Sequence, residues 1–168
     1  MWQNLYDEMQ NGINNIQCYQ GLPSMEELND WGDEGCHTIL VLDDLMIQGV
    51  DSEQLIHMTC VGSHHSNMTV IFLLQNVFKK GKSMRTASFN CHYFILFDSK
   101  RDPSQIATLG RQIFPGNNKY FMSPYKAAIS LKPFNFLLVD LSPRSDQSYQ
   151  LRTNILPGQD TIVYQPAK

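Results

Sequence analysis

Two strand-like runs in this chain end in residues that can handle a metal ion and a water molecule. Thr38-Ile39-Leu40-Val41-Leu42 closes on Asp43-Asp44, and Thr69-Val70-Ile71-Phe72-Leu73-Leu74 closes on Gln75-Asn76. An apolar run ending in acid places carboxylates at the carboxyl edge of a parallel sheet, where open α/β folds bind ligands. Mg²⁺ takes oxygen ligands and keeps most of its waters, so one or two carboxylates at a strand end suffice. Asp43 is suited to hold the metal and Asp44 to polarise an attacking water. Gln75, a neutral donor and acceptor, can hold that water and sense a terminal phosphate without adding charge. Asn76 is the alternative for the same post.

Together these residues read as the Mg²⁺-and-water half of a P-loop ATPase site. The other half, a Gly-rich loop ending in Gly-Lys-Ser/Thr between a strand and a helix, does not occur in the 168 residues. Gly81-Lys82-Ser83 matches only the last three letters and lacks the first glycine and the spacing. Two other readings of Asp43-Asp44 stay open: a pair capping a following turn, and the acidic pocket of a receiver-like phosphoacceptor domain.

Arg85 sits in a polar, basic loop, 79–88, between two apolar runs. Loops at sheet ends carry function disproportionately, so Arg85 is a candidate to reach a phosphate across a subunit interface or to contact DNA. Arg111 falls on a predicted helix, where a surface role is the simpler assignment. Adjacent pairs such as His64-His65 and Cys91-His92 cannot easily aim both side chains at one ion, which argues against zinc. No Ser-His-Asp or Cys-His order stands out.

The elements that must position these groups alternate between strand and helix. Asn15–Tyr19 is predicted as a short strand. Ser24 with Glu27 three residues on has capping-box spacing and starts a helix; Trp31–Gly35 is predicted as a turn. Strands follow at 38–43, 69–75, 92–97 and 134–141. Helices are predicted over 51–60, from Pro103 through Phe114 with Pro115-Gly116 as the stop, and over 118–129. An extended pair near 151–156 and 160–164 closes the chain. This alternation implies right-handed crossovers and a mainly parallel sheet flanked by helices. The near-continuous apolar strands imply that both of its faces are covered.

Composition narrows the class further. At 42% apolar, the chain suits one globular domain spanning 1–168. No apolar run approaches the roughly 18 residues needed to span a bilayer, so no membrane role is expected. Four scattered cysteines without C-x-x-C spacing favour free thiols in a reducing intracellular compartment, cytoplasm or nucleus. Charge is strongly polarised. Residues 1–78 hold eleven Asp/Glu and no Lys or Arg, and 79–168 hold thirteen Lys/Arg against five Asp/Glu, so the halves carry −11 and +8. An acidic metal-binding half and a basic half able to meet DNA phosphates fit that split.

Beyond single motifs, an ordered series resembles a known family. Leu40-Val41-Leu42-Asp43-Asp44-Leu45-Met46, Gly62-Ser63-His64-His65, Val70 to Asn76, Arg85-Thr86, Pro103-Ser104-Gln105-Ile106, Leu137 to Leu141 and Leu151 to Ile155 follow one another. The series is similar to the FtsK/HerA-type packaging ATPases of large DNA viruses and of Maverick/Polinton-like or adintovirus-like elements, including copies in animal genomes. The resemblance implies a partial RecA/FtsK-like P-loop core, with a Walker B strand at 38–44, a sensor strand at 69–76 and no Walker A loop. It implies ATP and Mg²⁺ as the intact family's cofactors, with Asp43 and Asp44 at the metal, Asn76 near the nucleotide, and Asp44, Gln75 and Arg85 acting in hydrolysis. It also implies a homo-oligomeric ring moving double-stranded DNA, with virion association. In the family a trans-acting arginine often lies near the loop before the sensor strand; that loop here, 63–67, contains none, which turns attention to Arg85. The stretch Trp2–Tyr6 resembles the segment after the family's second strand, so a carboxyl-terminal portion with no hydrolysis of its own is expected. A non-catalytic module binding DNA or intact subunits is the alternative.

Overall fold

The computed structural model describes residues 16–33, 37–43, 67–76 and 88–166, which belong to two compact units. The described part of the first runs to Gln75 and includes Ser88; the second comprises Asn76 and the residues from Phe89 onward. The helix predicted over 51–60 lies outside the described residues, and residues 16–19 adopt no strand.

In the first unit, helix α1 (Met25–Asp33) begins at the predicted capping box. The Glu27 N–H donates to Ser24 Oγ at 3.2 Å, and the Ser24 N–H donates to Glu27 Oε2 at 2.7 Å. The pairing satisfies two backbone donors that a helix start would otherwise leave free. The helix runs through Trp31 and Asp33, where the sequence predicts a turn. Trp31 packs against the core, and its carbonyl accepts from Thr38 Oγ1 at 3.1 Å. Tertiary packing thus carries the helix across Gly32, whose intrinsic preference opposes it.

Strands β1 (Thr38–Asp43) and β2 (Met68–Leu73) pair parallel, with Thr38 opposite Met68 and Asp43 opposite Leu73. Leu42 and Met68 bury with Leu28 of α1, backed by Leu40, Val70 and Phe72. Each such side chain contributes about 1.5–3 kcal/mol by leaving water. The opposite face is open: Ile39 is 62% and Val41 53% exposed, beside exposed Ile71 and Leu73. Among the described residues, then, cover lies on one face.

The second unit is a four-stranded sheet in the order β3-β4-β5-β6, from β3 (Tyr93–Phe97), β4 (Phe136–Asp140), β5 (Leu151–Thr153) and β6 (Ile162–Tyr164). Helices α2 (Pro103–Ile113) and α3 (Asn118–Ser130) connect β3 to β4. They cover one face, where Leu96, Ile106, Leu109, Phe121, Tyr125, Leu137, Val139 and Leu151 form the core. Tyr93, Ile95 and Phe97 leave the other face half-exposed.

Every pairing in this sheet is antiparallel, which corrects the expectation of a mainly parallel sheet. The reason is parity. One crossover helix returns the chain to the strand's starting end and yields a parallel neighbour. Two helices in succession make one more traverse, so β4 starts where β3 finished, with Phe97 opposite Phe136. The connections 141–150 and 154–161 are too short for a crossover, so β5 and β6 fold back as hairpins. The fold class is mixed α/β, with one parallel strand pair and one antiparallel sheet.

Two tight turns bound α3. Asn117 N–H donates to Phe114 O at 3.1 Å across Pro115-Gly116, with Gly116 at φ 79. Asn135 N–H donates to Lys132 O at 3.2 Å across Pro133-Phe134, with Phe134 at φ 59. Both place proline second and a positive φ third, the arrangement that normally requires glycine at the third position. Inside α2, Gly110 has a different role: a Cβ there would stand 2.3 Å from Cδ1 of the fully buried Phe121. It lets the two helices approach.

Candidate functional site

The predicted metal and water residues come from adjacent strands. With Asp43 opposite Leu73, the segment Leu74–Asn76 leaves β2 at the edge where Asp43 ends β1. Neighbouring strands lie about 4.8 Å apart, so Asp43 and Leu73 face each other at about that spacing, and Gln75 follows two residues on, at a bend.

Alternation along β1 directs Leu40 and Leu42 to the covered side and Ile39, Val41 and Asp43 to the open side. The Asp43 carboxylate is exposed and forms no ion pair among the described residues. Gln75 is exposed at the bend after β2, and Asn76 beside it is half-buried and already engaged in an interaction. Asp44 and Arg85, the other two candidates, lie outside the described residues, as do Lys79, Lys80 and Lys82. Arg111 is exposed on α2 and donates to Thr108 Oγ1 at 2.9 Å, as a surface arginine would.

A second acid ends a strand in the same way. Asp140 closes the apolar run Phe136–Val139 of β4, yet it is 4% exposed and fully engaged. Arg152 Nη2 donates to its Oδ2 at 2.6 Å, and Ser142 N–H donates to its Oδ1 at 3.0 Å. Asp140 is thus a structural anion holding β5 to β4. The pattern of an apolar run ending in acid is common to Asp43 and Asp140. What separates them is the neighbouring strand, which brings an arginine to one and not to the other.

The sequence reading also missed His37. Its ring bridges the amino ends of β1 and β2, Nδ1 lying 2.8 Å from Asn67 Oδ1 and Nε2 2.9 Å from Thr69 Oγ1. Thr38 N–H donates to Asn67 O at 2.9 Å beside it. This latch fixes the register that aligns Asp43 with Leu73. No spacing rule marks a lone histidine for it, because its partners lie about thirty residues away.

Among the described residues no group of three or more His, Cys, Asp or Glu side chains gathers. A Mg²⁺ bound mainly through water needs no such cluster, and one exposed strand-end carboxylate fits it. The receiver-like alternative needs an acid at the end of a third parallel strand. Asp98 follows β3, which pairs antiparallel in a different sheet, so that geometry is not met. Burial pushes the Cys91 thiol up, and Cys18 is exposed; both are free. Among the described residues no helix is long and apolar enough to cross a membrane.

No protein-family model, curated protein or solved structure matches this chain.

Proposed function

We propose that this chain carries the metal- and water-handling side of an ATP-driven, DNA-translocating motor built on a P-loop core. The supporting observation is the parallel register of β1 and β2, which brings Asp43 and Gln75 to one sheet edge. In this role Asp43 holds Mg²⁺ through its waters, Asp44 polarises the attacking water, and Gln75 orients it. Mg²⁺-ATP supplies the phosphoryl group under attack. Arg85 is the candidate to stabilise charge across a subunit boundary, and Asn76 lines the nucleotide side. The open apolar face of β1 and β2 agrees with a larger core, since parallel strands normally lie covered on both faces.

Double-stranded DNA is the proposed substrate of the assembled motor, and a ring of subunits its working form. The polarised charge favours an acidic metal side and a basic nucleic-acid side. These 168 residues contain no phosphate-cradling loop, so ATP turnover by the chain alone is expected at background.

Mn²⁺ binding read by electron paramagnetic resonance tests the site without requiring turnover. Asp43→Asn and Asp44→Asn are each expected to weaken binding about tenfold, the loss of one carboxylate that holds the ion's waters. Binding unchanged by both substitutions would remove the strand end from the mechanism. Mg²⁺-dependent ATP hydrolysis by the chain alone, abolished by Asp44→Asn, would keep the site but overturn the expectation of inactivity.

A further inference from the structure

Phe134 is the least economical residue in the described structure. The residue is 93% exposed, so it adds nothing to the core, and its φ of 59 is one a bulky side chain disfavours. Asn154, the other non-glycine residue at positive φ among the described residues, is a type that tolerates that conformation. The two other Pro-X turns of this kind among the described residues use Gly116 and Gly158. Neither packing nor backbone chemistry therefore favours phenylalanine at 134.

The turn is also held firmly. Asn135, 3% exposed, donates from Nδ2 to Ala128 O at 2.8 Å and to Thr153 Oγ1 at 3.2 Å. Thr153 Oγ1 in turn donates to Phe136 O at 2.7 Å. The ring is thereby presented outward from a fixed base.

Cations share its end of the sheet. Residues 120–139 contain Lys126 and Lys132 and no Asp or Glu. Phe97 pairs with Phe136, so loop 98–102, with Lys100 and Arg101, emerges at the same sheet end as the Phe134 turn. Tyr125 ties that loop to α3, its hydroxyl donating to Phe97 O at 2.9 Å and accepting from Ser99 N–H at 3.3 Å. Of the two acids nearby, Asp102 is occupied by Ser104 and Gln105, whose hydrogen bonds hold its carboxyl below the usual range, and Asp98 remains. Among the described residues Lys100, Arg101, Lys126 and Lys132 form no ion pair.

We propose that this end of the second unit binds single-stranded nucleic acid, with Phe134 stacking on an unpaired base and Lys100, Arg101 and Lys132 contacting phosphates. An exposed aromatic ring among unpaired cations is the combination that single-strand binders use, because every base offers a π-face. The site is drawn from the second unit alone and does not depend on the Asp43 site. The two are separable when binding is measured without nucleotide and with divalent cations chelated.

Fluorescence anisotropy of a labelled oligothymidylate and of a duplex of equal length, across a salt series, tests it. The full chain is expected to prefer the single strand. Phe134→Gly is expected to weaken that binding about tenfold, as loss of one base–aromatic stack does, with the salt slope unchanged. Joint replacement of Lys100, Arg101 and Lys132 by Gln is expected to reduce the slope of log K against log salt by about 2. Phe134→Trp should bind like the parent, and Phe134→Gly should melt at or above the parent temperature, which excludes unfolding as the cause. Equal affinity for single strand and duplex with no effect of Phe134→Gly would overturn the proposal. Self-association lost in Phe134→Gly, with no oligonucleotide bound, would also overturn it and assign the turn to a protein contact.

Discussion

Gly110→Ala sets two effects of known size against each other. In an open helix position the substitution stabilises by about 1 kcal/mol, because glycine loses more backbone freedom on folding than alanine. At Gly110 the new methyl would stand 2.3 Å from Phe121 Cδ1, 2.6 Å from Asn118 Oδ1 and 2.8 Å from Phe121 Cε1. Phe121 is fully buried and its ring centroid lies 5.9 Å from that of Phe114, so it has little room to retreat. Overpacking of this kind costs about 1–3 kcal/mol, occasionally more. With contacts this short against a fixed ring the cost falls at the upper end, about 2–3 kcal/mol, so a net loss of about 1–2 kcal/mol is expected, or about 2–8 °C in Tm for a chain of this size. Urea denaturation followed by circular dichroism, with calorimetry alongside, measures it. Adding Phe121→Leu should cost less in the Gly110→Ala background than in the parent, because the two share one volume. A Gly110→Ala chain as stable as the parent, or strict additivity in the double variant, would refute the packing of α2 on α3 described above.

Other expectations follow from the buried polar groups and turns. Arg152→Met should destabilise by about 3–5 kcal/mol, since it strands a buried carboxylate, and Asp140→Asn in the same chain should recover much of that loss; thermal melts of the three variants check it. Ser24→Ala should cost about 1 kcal/mol through loss of the α1 cap. The Ser24 hydrogen bonds hold the Glu27 carboxyl below its ordinary pKa of 4.5. Its contribution is therefore present above that pH and fades as the pH falls through the lower folded value. The parent's stability advantage over Ser24→Ala should shrink on acidification, as denaturation curves across that range would show. Phe134→Gly should raise stability by about 0.5–1 kcal/mol: relief of the left-handed conformation is worth roughly 1–2 kcal/mol, and glycine's extra unfolded freedom offsets part of it.

Local signals in the sequence carried well into the structure. Ser24 with Glu27 marked the start of α1, Pro103 the start of α2 and Pro115-Gly116 its end, because each acts through its immediate neighbours. The parallel pair of β1 and β2 was legible as well, down to one or two residues at its ends. Features set by distant partners were not. Strand direction in the second unit depends on counting two helices between β3 and β4, a global property that alternation alone does not reveal. Asp43 and Asp140 follow equally apolar runs, and only Arg152 on the adjacent strand tells a structural acid from an available one. Phe134 resembled the first residue of a strand by type, whereas the Lys132–Asn135 hydrogen bond makes it the third residue of a turn. The open face of β1 and β2 was hidden for the same reason: strands meant for cover on both sides look alike whether or not the second cover is present.

The most direct test of the central claim is where a paramagnetic metal settles on the isotope-labelled chain. Amide resonances recorded during a Mn²⁺ titration should broaden first at Asp43 and at Leu74–Asn76, and this effect should vanish in Asp43→Asn/Asp44→Asn while the rest of the spectrum is unchanged. Broadening centred elsewhere, or strand-end amides that stay sharp while Mn²⁺ binds, would contradict the assignment of Asp43 and Gln75 to one metal-and-water site.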